Sequence, residues 1–272
     1  MATTFYPDGL GGTVDLVATN EPFYGFDSTA WYVHFADGVD TLGTQGGKDK
    51  QRPLKTLAKA YGNATANDVI VLLDGHDEVL TTQLTIAKAG IIIVGCGQTA
   101  GVPNVKLRFD NPTGSMMLVQ SPCFQLRNIR FAENVQLNGF SSISVQSSGF
   151  VMDHCHIDHG ANDYSGLVFG LGADHATILD STFISTTTVI GTQPHSAITN
   201  SGNHTGLKMD GVVVSDGVLG FSNHYGIDLL AGVATNMSAY RLSLLLGASA
   251  RFSGATGFVI PVVTGGGVID TQ

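Results

Sequence analysis

Asp153-His-Cys-His-Ile-Asp-His159 is the densest run of reactive side chains in the sequence. Its imidazoles, thiol and carboxylates are on paper a donor set for zinc or another transition metal. Read as a strand, the run alternates between two faces, so the donors do not converge and no metal site is expected. Asp153 and Asp210 share one position of the repeat described below, and Asp180 falls one residue away, which makes a loose acidic stripe. A glycosidase would need two such carboxylates roughly 5–10 Å apart with one tuned to act as an acid. The simpler reading, a solvated acidic face, is the expectation here. His76 in Gly75-His-Asp-Glu78 has no Ser or Cys nucleophile signature beside it and reads as a hydrogen-bonding turn residue. Gly95-Cys-Gly-Gln98 and Gly265-Gly-Gly-Val268 lack the strand-to-helix context of a phosphate loop. No catalytic, cofactor-binding or metal-ligating residue is therefore expected.

These residues must be carried by a repeat. Phe124-Gln-Leu-Arg-Asn-Ile-Arg-Phe131, Phe150-Val-Met-Asp-His-Cys-His-Ile157 and Ala176-Thr-Ile-Leu-Asp-Ser-Thr-Phe183 align without gaps. Looser copies begin at Leu207 and Met237. A second segment recurs between them as Ser115-Met-Met-Leu-Val, Ser141-Ser-Ile-Ser-Val, Ser165-Gly-Leu-Val-Phe, Ser196-Ala-Ile-Thr and Gly226-Ile-Asp-Leu-Leu. Short strands repeating every 26–31 residues with no helix-period segment describe a coil stacked on its neighbours. The Leu and Asn framework of leucine-rich repeats is absent. About seven coils at roughly 4.8 Å give a rod about 35 Å long. Asn128, His154, Asp180, Gly211 and Arg241 occupy one repeat position and should stack as a ladder whose side chains satisfy the backbone of a bend.

Pro53-Leu-Lys-Thr-Leu-Ala-Lys-Ala-Tyr61 reads as a helix, begun by Pro53 and ended by Gly62, that covers the open N-terminal end of the solenoid. Residues 1–50 read as an N-terminal arm plus an entry strand around Ala30 to Phe35, and residues 51–272 as the solenoid domain. Whether the tail 254–272 adds a coil or reaches elsewhere stays open.

Composition agrees with an all-β solenoid. Charged residues are 13% of the chain, about half the roughly 25% of an ordinary globular protein, and 35 glycines serve many turns. The net charge of −9 is concentrated beyond Phe131, where Lys208, Arg241 and Arg251 are the whole basic inventory. An acidic body with no basic stripe argues against nucleic acid as a partner. No apolar run is long enough for a membrane span, and the N-terminus lacks the basic and apolar regions of a signal peptide, so synthesis in a cytoplasm is expected. Cys96, Cys123 and Cys155 are odd in number and lie near strand-like runs, which reads as buried free thiols.

The stretch Arg52-Pro-Leu-Lys-Thr-Leu-Ala-Lys-Ala, then Asp68-Val-Ile-Val-Leu-Leu-Asp-Gly-His-Asp-Glu, then Leu84-Thr-Ile-Ala-Lys-Ala-Gly-Ile-Ile-Ile-Val-Gly-Cys-Gly resembles the pectate-lyase-like right-handed parallel β-helix superfamily, and within it a phage virion branch. The resemblance covers residues 50 to 185 best. It implies an all-β, right-handed parallel β-helix with a short N-terminal capping helix. It also implies one of several activities: polysaccharide lyase, tailspike glycan hydrolase, or a non-catalytic virion protein such as a trimeric head decoration or cement protein. The sparse bases and scattered carboxylates favour the last. The expectation is then a homotrimer in the virion, bound to the major capsid protein of the phage head through the arm and flat apolar or Ser/Thr-rich faces. The alternative is a tailspike or tail-fibre-like enzyme whose groove is lined by Asp153, Asp180 and Asp210 with Tyr164 and Tyr225.

Overall fold

The computed structural model describes residues 29–41, 46–110, 115–133, 141–159, 165–185, 196–215, 226–229, 234–245, 250–252 and 269–271. Their strands form three parallel sheets, each built from one strand per coil. Sheet A runs from Ala30–Val33 through Val69–Leu72 and Ile92–Gly95 to Ser238–Tyr240. Sheet B has seven strands, from Asp77–Leu80 to Ser243–Leu245. Sheet C runs from Leu84–Ile86 to Ala250–Phe252 and ends on Ile269–Thr271, so the end of the tail adds a strand there. The chain visits A, B and C in turn, which is the parallel β-helix expected from the repeat. Parallel strands joined by crossovers in one sheet take the right-handed path.

The gapless octads are one sheet A strand, a two-residue corner and the start of a sheet B strand. Leu126 pairs with Met152 and Met152 with Ile178, and Phe131 pairs with Ile157 and Ile157 with Phe183. Inward side chains of successive coils thus stack in columns. One column runs Leu107, Phe131, Ile157, Phe183, Val214, Leu244, all fully buried. At the mouth of sheet C, Ser115, Ser141, Ser165 and Ser196 are buried, and the Ser115 and Ser141 hydroxyls hydrogen-bond at 2.8 Å.

Two corners are set by backbone conformation. Asn128, His154, Asp180, Gly211 and Arg241, at the A-to-B corner, all have positive φ, between 39° and 69°. Each of the first four donates its N–H to the next coil, to Asp153, Leu179, Asp210 and Tyr240 in order, so the ladder is unbroken through the bend. The expected side-chain ladder is corrected here. Only Asn128 uses its side chain on the backbone, donating to the carbonyls of Gly95 (2.7 Å) and Gly97 (3.1 Å). What the position shares is the left-handed backbone, which Asn, Asp, His and Gly adopt most readily. At Gly211 a Cβ would meet the Asp180 carboxylate, so a side chain there would require Asp180 to shift. A second series, Asn67, Gly90, Cys123, Gly149, His175, Gly206 and Asn236, makes the corner leading into sheet A with φ between 52° and 73°.

The capping helix spans Leu57–Asn63, four residues later than the expected start. Pro53-Leu54 stays extended because Leu54 bridges to Val33 and bonds to Tyr32 and His34, continuing the solenoid edge. Thr56 is the N-cap, its hydroxyl accepting from the Lys59 N–H, and Asp40 accepts from the Thr56 hydroxyl at 2.7 Å. Leu57, Ala60 and Tyr61 face the core. At the other end Lys88 Nζ donates to the carbonyls of Tyr61 and Ala64 (2.6 and 2.7 Å), taking up helix-end acceptors.

Candidate functional site: the charged A-to-B corner

The run Asp153–His159 straddles the A-to-B corner. Asp153 ends a sheet A strand, His154 is the left-handed corner residue, and His156 and Asp158 lie on the next sheet B strand. The left-handed turn resets the alternation, so Asp153, His154, His156 and Asp158 all lie on the outer side while Cys155 points into the core. Among the described residues, the expected split between faces holds for inward Cys155 against outward His154, His156 and Asp158, and fails only for Asp153, which the bend leaves on the outer side. A continuous strand would alternate, but this run is two strands and a bend.

Side chains at the corner form a chain of opposite charges. His154 Nδ1 lies 2.6 Å from Asp153, Arg127 approaches Asp153 at 3.7 Å, and Arg241 spans Asp180 (3.2 Å) and Asp210 (2.7 Å). Asp153, His154 and Asp180 each place one donor atom within 4.8 Å of the others, which the strand reading missed. The Asp153 hydrogen bond, helped by the nearby Asp180 charge, raises the His154 imidazole above its ordinary range against the cost of its burial. Arg127 and Arg241 thus set permanent positive charge against the three carboxylates, and His154 adds a hydrogen bond to Asp153. Asp153 and Asp210 share the outer row of sheet A with Leu179 between them, two coils or roughly 10 Å apart.

On sheet B, His156 sits beside Arg130 and Thr182 as the repeat alignment expects. Asp158 accepts from Arg130 at 2.6 Å and contacts His156 at 2.8 Å. Burial alone would push the Asp158 carboxyl up, but these two partners outweigh it and hold it below its ordinary range. Lys208 and Asp210 share the outer side of one strand. The side chains of Glu133, His159 and Arg251 lie outside the described residues, as do Glu21, Tyr164, Tyr225 and Gly265–Val268.

His76 is wholly buried in the first turn of the rod. Its Nδ1 accepts from the Phe35 N–H at 3.1 Å, so the ring proton sits on Nε2, facing Glu78 at 3.1 Å. Glu78 points inward and accepts from the Leu57 N–H, an orphan donor at the helix start. Gly75-His-Asp-Glu78 is thereby a structural tie between the entry segment, the helix and sheet B. Asp68 is a second tie, joining Thr29, Trp31 and Thr65.

Of the three thiols expected to be buried, only Cys155 is, and its thiol is pushed up to about 12 by that burial. Cys123 is exposed because it occupies the left-handed corner before sheet A, and Cys96 is half-buried on an outer face. His204, which the sequence did not single out, is buried against Phe169 (ring centroids 5.6 Å apart), and neither ring nitrogen has a partner among the described residues. Burial lowers its imidazole below the ordinary range, opposed only in part by Asp174.

The two histidines give opposite pH slopes. The unfolded chain protonates His204 near pH 6.5 but the folded chain only at lower pH, so stability is lost as pH falls below 6.5. The raised His154 contributes fully below 6.5 and loses its contribution as pH rises through its folded value. His204→Leu is expected to be relatively more stable at pH 5.5 than at pH 7.5, measured as the difference in Tm from the unsubstituted protein at each pH. An equal difference at both would remove His204 as the cause of the acid limb.

No family model matches the sequence, and no curated protein matches it significantly. Among solved structures, the chain is similar to an alginate lyase from Paenibacillus sp. str. FPU-7 (14% identity, TM-score 0.38, 79% of this chain and 94% of that one). It is also similar to the pectin methylesterase from Aspergillus niger (12%, 0.41, 91% and 86%) and to ORF18 of Geobacillus virus E2 (11%, 0.27, 79% and 57%). Likeness at this level carries nothing about activity.

Proposed function

We propose that the chain is a non-enzymatic structural protein of a bacteriophage particle, a homotrimeric decoration protein bound to the major capsid protein on the outside of the head. The observation that carries this reading is the outer row of sheet C. It runs in register through Thr85, Leu118, Ser144, Val168 and Thr199, five coils with no charge, before it reaches Asp228, Arg251 and Asp270 at the C-terminal end, whereas the outer rows of sheets A and B hold the ion pairs along the middle of the rod. A flat, uncharged β-face suits close contact with protein, since interface cores are depleted of charge. The ion-paired carboxylates of the corner and the resemblance of residues 50–185 to phage β-helix proteins support the same reading.

The copy number of this chain relative to the major capsid protein in purified particles tests it. Hundreds of copies are expected. A few tens or fewer would move the protein to the tail, and its absence would end the virion reading. Trimerisation through sheet C predicts a solution mass of three times 28.4 kDa, falling to one chain for Val168→Arg with unchanged circular dichroism. A monomeric unsubstituted protein would remove the trimer. The second reading, a glycan-degrading enzyme, draws on the spacing of Asp153 and Asp210 and requires that replacing Asp153, Asp180 and Asp210 together abolish glycan cleavage.

A further inference from the structure

The outer face of sheet A changes character along the rod. From the fourth strand onward it carries residues such as Gln125, Arg127, Asp153, Lys208 and Asp210. Over the first three strands it is apolar: Tyr32, Val69, Val71 and Ile92 form a cluster of their own, flanked by Leu73 and Val94. Trp31, Val33, Ile70, Leu72 and Ile93 alternate with them and face the main core, so the cluster lies on the other side of the sheet. Outward side chains of a solenoid are normally wet, yet these four are only 2–7% exposed. Their cluster includes no apolar side chain from any other described element.

We propose that residues 1–28 of the same chain dock on this face and cover it. The segment ends at Ser28, two residues before the strand Ala30–Val33 that forms the edge of the apolar patch. The part nearest the patch, Pro22-Phe-Tyr-Gly-Phe26, holds three aromatic side chains and a glycine at which the chain can reverse. The patch is three strands wide and four residues long, about 10 by 13 Å, so four or five extended residues at roughly 3.3 Å each cross it. The segment carries Asp8, Asp15, Glu21 and Asp27 and no Lys or Arg, so its apolar residues are what fit it to this face. Docked in this way, the arm belongs to the rod's own surface, and contact with other subunits falls to the sheet faces.

Photocrosslinking in the full chain tests this. Val94, half-buried at the patch margin, is replaced by p-benzoylphenylalanine, and a mixture of light and heavy isotope-labelled protein is irradiated and digested. The expected product joins position 94 to a peptide within residues 1–28 of the same isotopic label. Light–heavy products would overturn the proposal in favour of a second copy as occupant, and products elsewhere or none would overturn it outright. Half-buried Cys96 provides a second readout. In a Cys123→Ser background, Phe23→Ser/Tyr24→Ser/Phe26→Ser is expected to raise Cys96 alkylation at least tenfold, and an unchanged rate counts against the arm.

Discussion

Replacing Asp68 by alanine is expected to lower the unfolding free energy by about 4 kcal/mol, the scale of leaving several buried donors without a charged acceptor. The carboxylate is 2% exposed and accepts from the Thr29 N–H (2.9 Å), the Trp31 indole N–H (3.0 Å), the Thr65 N–H (2.7 Å) and the Thr65 hydroxyl (3.1 Å). It thus fastens the entry strand and the turn after the helix to the second strand of sheet A. Asp68→Asn keeps one acceptor oxygen and should cost about half as much. Trp31 is the sole tryptophan and donates directly to Asp68, so its fluorescence reports the first coil while circular dichroism reports the rod. Urea unfolding followed by both gives the value, and a loss below about 1 kcal/mol would show that Asp68 is not the tie described.

Phe131→Ala is expected to cost about 3–5 kcal/mol, the range for deleting a fully buried aromatic ring. Phe131 is stacked in register between Leu107 and Ile157 near the middle of the rod. Each coil is stabilised mainly by its two neighbours, so a cavity there weakens two interfaces at once. Phe131→Leu should recover most of the loss in a urea titration. Equal costs for the two substitutions would mean that the column relaxes to fill the gap.

The solenoid was legible because its inward side chains obey two rules together, alternation along the strand and repetition between coils. Phe131, Ile157 and Phe183 satisfy both, and their alignment gave the register of sheet B. The helix start was misread because Pro53-Leu54 has the local chemistry of a helix N-terminus, while the competing bonds of Leu54 to Tyr32 and His34 are distant in sequence. The second corner series escaped notice because Asn67, Cys123 and His175 share a backbone angle and no side-chain type. The charge pairing at the corner was hidden for a related reason: Arg241 meets Asp180 and Asp210 only when three successive coils are stacked. Val69-Ile-Val-Leu72 cannot reveal from its sequence that Val69 and Val71 face outward, because both sides of that strand are apolar.

From the fourth strand of sheet A onward, the A-to-B corner always takes two residues, the left-handed one and a buried one after it. The opposite passage, from sheet B to sheet C, takes residues 134–140, 160–164, 186–197, 216–226 and 246–249 in successive coils, with no common length. The rod therefore has one margin where a single inserted residue would break the stacking and another where length varies from coil to coil without shifting any strand. Related chains would be expected to agree at the first margin and diverge at the second, and foreign peptides grafted between sheets B and C would be displayed in a row at the spacing of the coils.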